Sequence, residues 1–181
     1  MDAGRGDPTT GAKHAIGEIK NFVEIGDLIA TGGQPSESQL NDLASAGYRV
    51  VINLGLLDPK YCLRDEARSV AELGMEYHHI PVVLTAPKTD DFRRFVDVVA
   101  SHRDHKIFVH CALNWRVSAF VALYGELRLG WPPSKADAHI RSKGSDVSSS
   151  DVTRAERSPR GARSARCKRA RRRRPSRRRH P

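Results

Sequence analysis

Cysteine is scarce. Cys62, Cys111 and Cys167 are the three in 181 residues, an odd number at unrelated spacings. That argues against a disulfide framework and for a reducing, cytosolic setting. Long apolar runs are missing too. No stretch approaches the roughly 18 residues a membrane-crossing helix needs. The first thirty residues hold no apolar run behind a basic front, so no signal peptide is expected. Aromatic residues make up 6 % of the chain and none falls in residues 141–181, which weakens any reading of that part as a dedicated single-strand nucleic-acid binder.

Charge is present, but unevenly. Residues 1–140 hold 15 Lys and Arg against 18 Asp and Glu, a net charge of −3. Residues 141–181 hold 16 against 3, a net charge of +13. With almost no apolar residues after Val152, that tail cannot bury enough surface to offset its ordering entropy, and it is expected to be disordered. Its arginine runs could grip nucleic acid or another anionic surface without sequence preference. A solvated accidental tail without a ligand is the plainer account. The expected organisation is a flexible segment over 1–19, one domain over 20–140, and the tail over 141–181.

Within the domain, strand and helix patterns alternate. "GDLIATGGQP" reads as a short strand ending in a turn. Ser36 opens a helix with Gln39 three residues on, a capping box, and Leu40, Leu43 and Ala44 form its apolar face. "RVVINL" (49–54) is a continuous apolar run, the pattern of a strand covered on both faces. Asp65 to Leu73 reads as a helix with Ala67, Val70 and Ala71 inward. "MEYHHIPV" is a strand, and Thr89 is expected to cap a helix carrying Phe92, Phe95, Val96 and Val99. "KIFVH" is a further strand, and the helix that follows "CALNWR" stops at Gly130. Alternation of this kind predicts an α/β fold with a mainly parallel central sheet of four or five strands flanked by helices.

The chemistry gathers at "FVHCALNWRVSAF". Cys111 stands between the end of an apolar strand and the start of a helix, where ligands bind in such sheets. Main-chain N–H groups of the loop and first helical turn converge there and form an anion site before any side chain is added. The same dipoles and a nearby guanidinium lower a thiol pKa from about 8.5 toward roughly 3.5–7.5. Arg116 can fork two N–H bonds onto an oxyanion, which lysine cannot match. Ser118 could donate to the sulfur. Covalent catalysis on phosphate is the chemistry such a set suits. On the residue alone, a small buried cysteine at a strand end is the plainer account.

"VHCALNWRVS" resembles the signature loop of cysteine-dependent phosphatases. "TGGQPSESQLNDLASAGYRVVINL" and "YHHIPV" are similar to bacterial dual-specificity-like phosphatases, in particular the beta-lactamase-hydrolase-like phosphatase domain. The resemblance spans roughly residues 20–137. It implies a dual-specificity-phosphatase-like fold and hydrolysis of a phosphorylated protein or small phosphate ester. It implies Cys111 as nucleophile, Arg116 as phosphate clamp and the amides of Ala112, Leu113, Asn114 and Trp115 as cradle, with His110 ordering the loop. Trp115 either walls the pocket or packs on the helix.

Two departures stand out. Four residues separate Cys111 from Arg116 where the phosphatase loop has five, as if Arg116 and Val117 had changed places. Four-residue loops also occur in rhodanese-like sulfurtransferases. The loop after "IPV", where such phosphatases place an acidic residue, carries no carboxylate. Asp90 is the first candidate acid, with Asp91 and Asp58 as alternatives, and helix capping or turn formation explains each of them as well. A catalytically weak phosphate-binding module is therefore a further reading. No cofactor is implied. Cys62, His78, His79, His110 and Cys111 show no metal-ligand spacing, so no metal is expected, and His102 and His105 read as solvated.

Overall fold

The computed structural model describes residues 15–144. Five strands form one sheet: β1 (Val23–Ile25), β2 (Ile29–Gly32), β3 (Tyr48–Asn53), β4 (Glu76–His79) and β5 (Lys106–His110). Helices accompany them: α1 (Glu37–Ser45), α2 (Glu66–Glu72), α3 (Thr89–Ser101), α4 (Trp115–Arg128) and α5 (Pro133–Gly144). The strand order is β1-β2-β5-β3-β4. β2, β5, β3 and β4 run parallel, and only β1 pairs antiparallel, Val23 opposite Thr31. The expected α/β class and mainly parallel sheet are what is found. β1 went unpredicted because three residues are too few to show a period.

The apolar run in β3 divides between two cores, as a doubly covered strand must. Val50 and Ile52 join Ile107 and Val109 of β5 beneath Phe95 and Val99 of α3 and Val117, Phe120 and Val121 of α4. Val51 and Phe108 face the other way, onto Leu40 and Leu43 of α1, Val70 of α2, and Ile16 and Ile19. Packing thus begins before the boundary placed at residue 19, since Ile16 and Ile19 are each only 2 % exposed. Residues 1–14 and 145–181 lie outside the described residues, and with them most of the segment over 1–19 and of the tail over 141–181. Among the described residues, no helix is long and apolar enough to cross a membrane.

Local rules hold at α1, where Ser36 Oγ accepts from Gln39 N at 3.2 Å while Gln39 Oε1 accepts from Ser36 N at 2.9 Å. They fail at α3, which is capped by Lys88 with no side-chain bond, leaving Thr89 as its first residue. α2 is rotated from its expected face. Ala67 and Ala71 are exposed, and Glu66 is buried beside Val70. That rotation carries a carboxylate into the interior beneath the candidate site.

Candidate active site

β5 is the middle strand, so the segments that follow β2, β3 and β5 meet at one edge of the sheet. Strand alternation sorts their side chains. Ile107, Val109 and Cys111 belong to the core under α3 and α4. Phe108 and His110 lie on the opposite face, with their rings stacked at 5.7 Å. Neighbours in sequence, Cys111 and His110 therefore serve different sides of the sheet. Cys111 is a free thiol and 1 % exposed.

The loop from Cys111 to Asn114 turns sharply enough that Asn114 adopts a left-handed conformation, φ 68° and ψ 6°. Asparagine tolerates that region better than other side chains. Asn114 is fully buried, and its Nδ2 donates to Asn21 O at 2.7 Å and to Thr31 Oγ1 at 3.0 Å. Asn21, itself left-handed with φ 54°, returns a bond from its Nδ2 to Leu113 O at 3.0 Å. The two asparagines lock the loop against the chain that precedes β1.

Most of the loop carbonyls are spoken for. His110 O accepts from Leu54 N at 2.8 Å, Ala112 O from Gln34 N at 3.2 Å, and Asn114 O from Ser118 N at 2.9 Å. No described acceptor meets the N–H groups of Ala112, Leu113, Trp115 or Arg116. With carbonyls bonded to the surrounding scaffold and amides left over, the loop has the polarity of an anion cradle. Arg116, in the first turn of α4, is half-buried, and its Nε is buried without a partner among the described residues. A guanidinium in that condition carries unspent donors. Trp115 is half-buried, and its buried Nε1 likewise has no partner. Ser118, expected to donate to the sulfur, donates to Asn114 O. Its single hydroxyl proton is thereby used, with Oγ 2.7 Å from that carbonyl, so Ser118 fastens the loop to α4.

The glycines of "GGQP" make this approach possible. A Cβ on Gly33 would stand 2.9 Å from Ala112 O and 3.1 Å from Lys20 O, both main-chain atoms that cannot swing aside. Gly55 fits the other flank, where a Cβ would lie 3.7 Å from Cys111 Cα. Gly33→Ala is expected to displace the loop at a cost of about 1–3 kcal/mol, read as a lower urea midpoint together with weaker phosphate binding. Unchanged values for both would contradict the contact.

Beneath the loop lies a buried polar network centred on Glu66, 4 % exposed. Gln34 Nε2 donates to its Oε1 at 2.7 Å, and Asn53 Nδ2 and Tyr77 Oη donate to its Oε2 at 2.8 Å and 3.0 Å. His110 Nε2 stands 3.0 Å from Oε1, at ion-pair distance but without the angle of a good hydrogen bond. Three donors and the nearby imidazole surround the lone-pair sites of one ionised carboxylate. Burial works to raise the Glu66 pKa, but His110 and the donors from Gln34 and Tyr77 outweigh it and hold the carboxyl below its ordinary range. Burial first, then the Glu66 charge, pushes the Tyr77 phenol well up. Asn53 also fixes the exit of β3, its Oδ1 accepting from Gly55 N at 2.7 Å. Of these residues, only His110 was picked out from the sequence. Glu66 in a first helical turn reads as a dipole complement, and Gln34 as part of a turn.

The candidate acids are spread apart. Asp90 and Asp91 sit in the first turn of α3, Asp90 exposed and paired with Arg93 at 3.1 Å, Asp91 half-buried. Asp58 lies exposed on the loop after β3, its Oδ1 accepting from Lys60 N at 2.9 Å. β3 is hydrogen-bonded to β5, whereas β4, which leads to Asp90, is one strand further out.

Comparison with known proteins agrees with this geometry. Residues 19–158 match the family described as DSP-PTPase phosphatase fused to NAD+ kinase. A beta-lactamase hydrolase-like protein of Xylella fastidiosa is 29 % identical over 105 residues, covering 56 % of this chain but only 24 % of that protein. The chain thus corresponds to about a quarter of that relative. A DUF442 structure from Shewanella putrefaciens, described as a phosphatase, aligns at TM-score 0.64 and 28 % identity, covering 79 % of this chain and 87 % of that one. The core catalytic domain of a PP-IP phosphatase from S. cerevisiae aligns at TM-score 0.62 with 12 % identity over 77 % and 85 % of the two chains, a likeness of fold alone. The match over most of its length places this chain in the DSP-PTPase phosphatase family fused to NAD+ kinase.

Proposed function

We propose that this chain hydrolyses phosphate monoesters through a cysteinyl-phosphate intermediate. The observation that carries the reading is the loop itself, whose carbonyls at Ala112, Leu113 and Asn114 are bonded while four amides of the segment that follows Cys111, and the Arg116 Nε, are left without described acceptors. A phosphoryl group held there has its equatorial oxygens met by N–H donors and a guanidinium, the arrangement that stabilises charge developing at phosphorus.

The Cys111 thiolate attacks phosphorus. The S–P bond forms as the ester P–O bond breaks, and the leaving oxygen takes a proton from an acid. Water then attacks the phosphocysteine, giving up its proton to the same carboxylate. The S–P bond breaks, and inorganic phosphate and the thiolate are restored.

For the acid we move the choice from Asp90 to Asp58. Asp58 follows Gly55, which packs on Cys111, by three residues and lies on the strand exit next to β5. Asp90 is held by Arg93. Leu56, Leu57 and Tyr61 on the same loop are 41–45 % exposed, and Val83 and Leu84 on the next loop are 45 % and 47 %. An apolar border of this kind favours an ester with an apolar or aromatic leaving group, such as phosphotyrosine.

The test is hydrolysis of an aryl and an alkyl phosphate in the presence of chelator. Asp58→Asn is expected to lower kcat on the alkyl ester by about 10²–10⁴ and much less on the aryl ester, whose leaving group needs little protonation. Equal kcat for wild type and variant on both esters removes Asp58. The four-residue spacing from Cys111 to Arg116 also fits a persulfide carrier. Sulfur transfer from thiosulfate without phosphate release would favour that reading.

A further inference from the structure

On β4, Glu76 and His78 stand two residues apart on one face of the strand, as alternation requires. His102, at the end of α3, packs against them with its ring centroid 5.3 Å from that of His78. His78 Nε2 lies 2.7 Å from Glu76 Oε1, and His102 Nε2 lies 3.0 Å from Glu76 Oε2. One ligand atom from each of the three residues falls within 4.8 Å of the others. We propose that Glu76, His78 and His102 form a binding site for a divalent transition-metal ion of the zinc class, independent of the phosphatase reading.

The orientation of His102 carries the argument. Its Nδ1 is 2.8 Å from Val98 O, an acceptor only, so Nδ1 bears the hydrogen. A neutral ring then turns the lone pair of Nε2 toward a carboxylate oxygen, a contact relieved either by a second ring proton or by a metal cation held between the two. A main-chain carbonyl holding the far nitrogen is also the usual outer partner of a metal-bound histidine. His78 Nε2 is buried and, despite its closeness to Glu76, lacks hydrogen-bond geometry. Bond lengths of about 2.0–2.2 Å put tetrahedral ligand atoms roughly 3.3–3.6 Å apart, so side-chain rotation has to bring the three ligand atoms, all within 4.8 Å of one another, to that spacing. Two imidazoles and one carboxylate select zinc, nickel or copper over calcium or magnesium. Glu76 is 56 % exposed in its side chain, which leaves solvent access for a fourth ligand, water. The ion would fasten the edge strand β4 to the end of α3. The sequence reading of a solvated His102 is thereby corrected, for its side chain is 17 % exposed and doubly engaged.

Zn2+ titration of the full chain by calorimetry, with the thermal midpoint followed in parallel, tests the site. One equivalent is expected to bind and raise Tm by several degrees. His78→Ala and His102→Gln should each weaken binding at least about tenfold, while Cys111→Ser binds as wild type. Glu76→Gln, an exposed substitution, serves should either histidine variant fail to fold, and the same loss is expected of it. No binding, binding lost in Cys111→Ser, or binding unaffected by these variants would overturn the proposal and leave a proton-bridged pair of histidines at Glu76.

Discussion

Glu66→Gln is expected to lower the stability of the folded chain by about 3 kcal/mol or more, the scale for breaking one side of a buried charged pair. The amide would keep the shape of the carboxylate but turn a donor toward donors, against Gln34, Asn53, Tyr77 or His110. Urea denaturation measures the loss. A double-mutant cycle with His110→Gln separates the pairwise part, expected at roughly 0.5–3 kcal/mol. A change under about 0.5 kcal/mol, typical of an uncoupled surface site, would show that the network does not hold the loop. The pH dependence follows from the lowered Glu66 pKa. A carboxyl depressed on folding contributes stability fully above its unfolded pKa of about 4.3, and that stability is lost as pH falls through the lower folded value. Wild type should therefore lose this increment only below about pH 4, and Glu66→Gln should lack that limb of the acid unfolding curve. Because His110 precedes Cys111, the variant is also expected to lose kcat at temperatures where it stays folded.

Cys111→Ser is expected to remove essentially all phosphate release, a fall of at least about a thousandfold. A serine hydroxyl at neutral pH is a far weaker nucleophile than a thiolate, and no described base stands ready to activate it. Since the residue is buried in the sheet edge, the smaller oxygen should leave the fold and the oxyanion site intact. Vanadate or phosphate should then still bind to the variant. Arg116→Lys separates the two functions further. It keeps the charge but loses the fork, so it should weaken oxyanion binding and kcat together. Retained hydrolysis in Cys111→Ser would remove the nucleophile assignment. Loss of vanadate binding along with activity would point to a damaged loop instead.

The fold was legible in the sequence wherever a pattern was long enough to have a period. β3, α1, α3 and α4 fall where apolar spacing put them. β1 did not, being three residues whose pairing is set by the turn after it. The strand–loop–helix at Cys111 was legible because it combines a strand end, a cysteine and an arginine in one short stretch. The support beneath it was not. Glu66 is drawn inward because α2 meets the sheet at the angle that lets Val70 pack, and its burial is offset by donors from Gln34, Asn53 and Tyr77 and by the His110 ring, from four separate segments. No one-dimensional pattern records a convergence from Gln34, Asn53, Tyr77 and His110. Ser118 failed for a related reason. The nearest acceptor to a serine in a first helical turn is the carbonyl four residues back, and a hydroxyl has one proton to give. Gly33 gave no signal of its own, since a close approach to Ala112 O is a property of two loops together.

Mass spectrometry of acid-quenched wild-type protein during turnover of an aryl phosphate goes most directly to the central claim. A phosphoryl group mapped to the Cys111 peptide, and absent when vanadate occupies the site, is the predicted result. Steady phosphate release with that peptide never modified would contradict covalent transfer to Cys111.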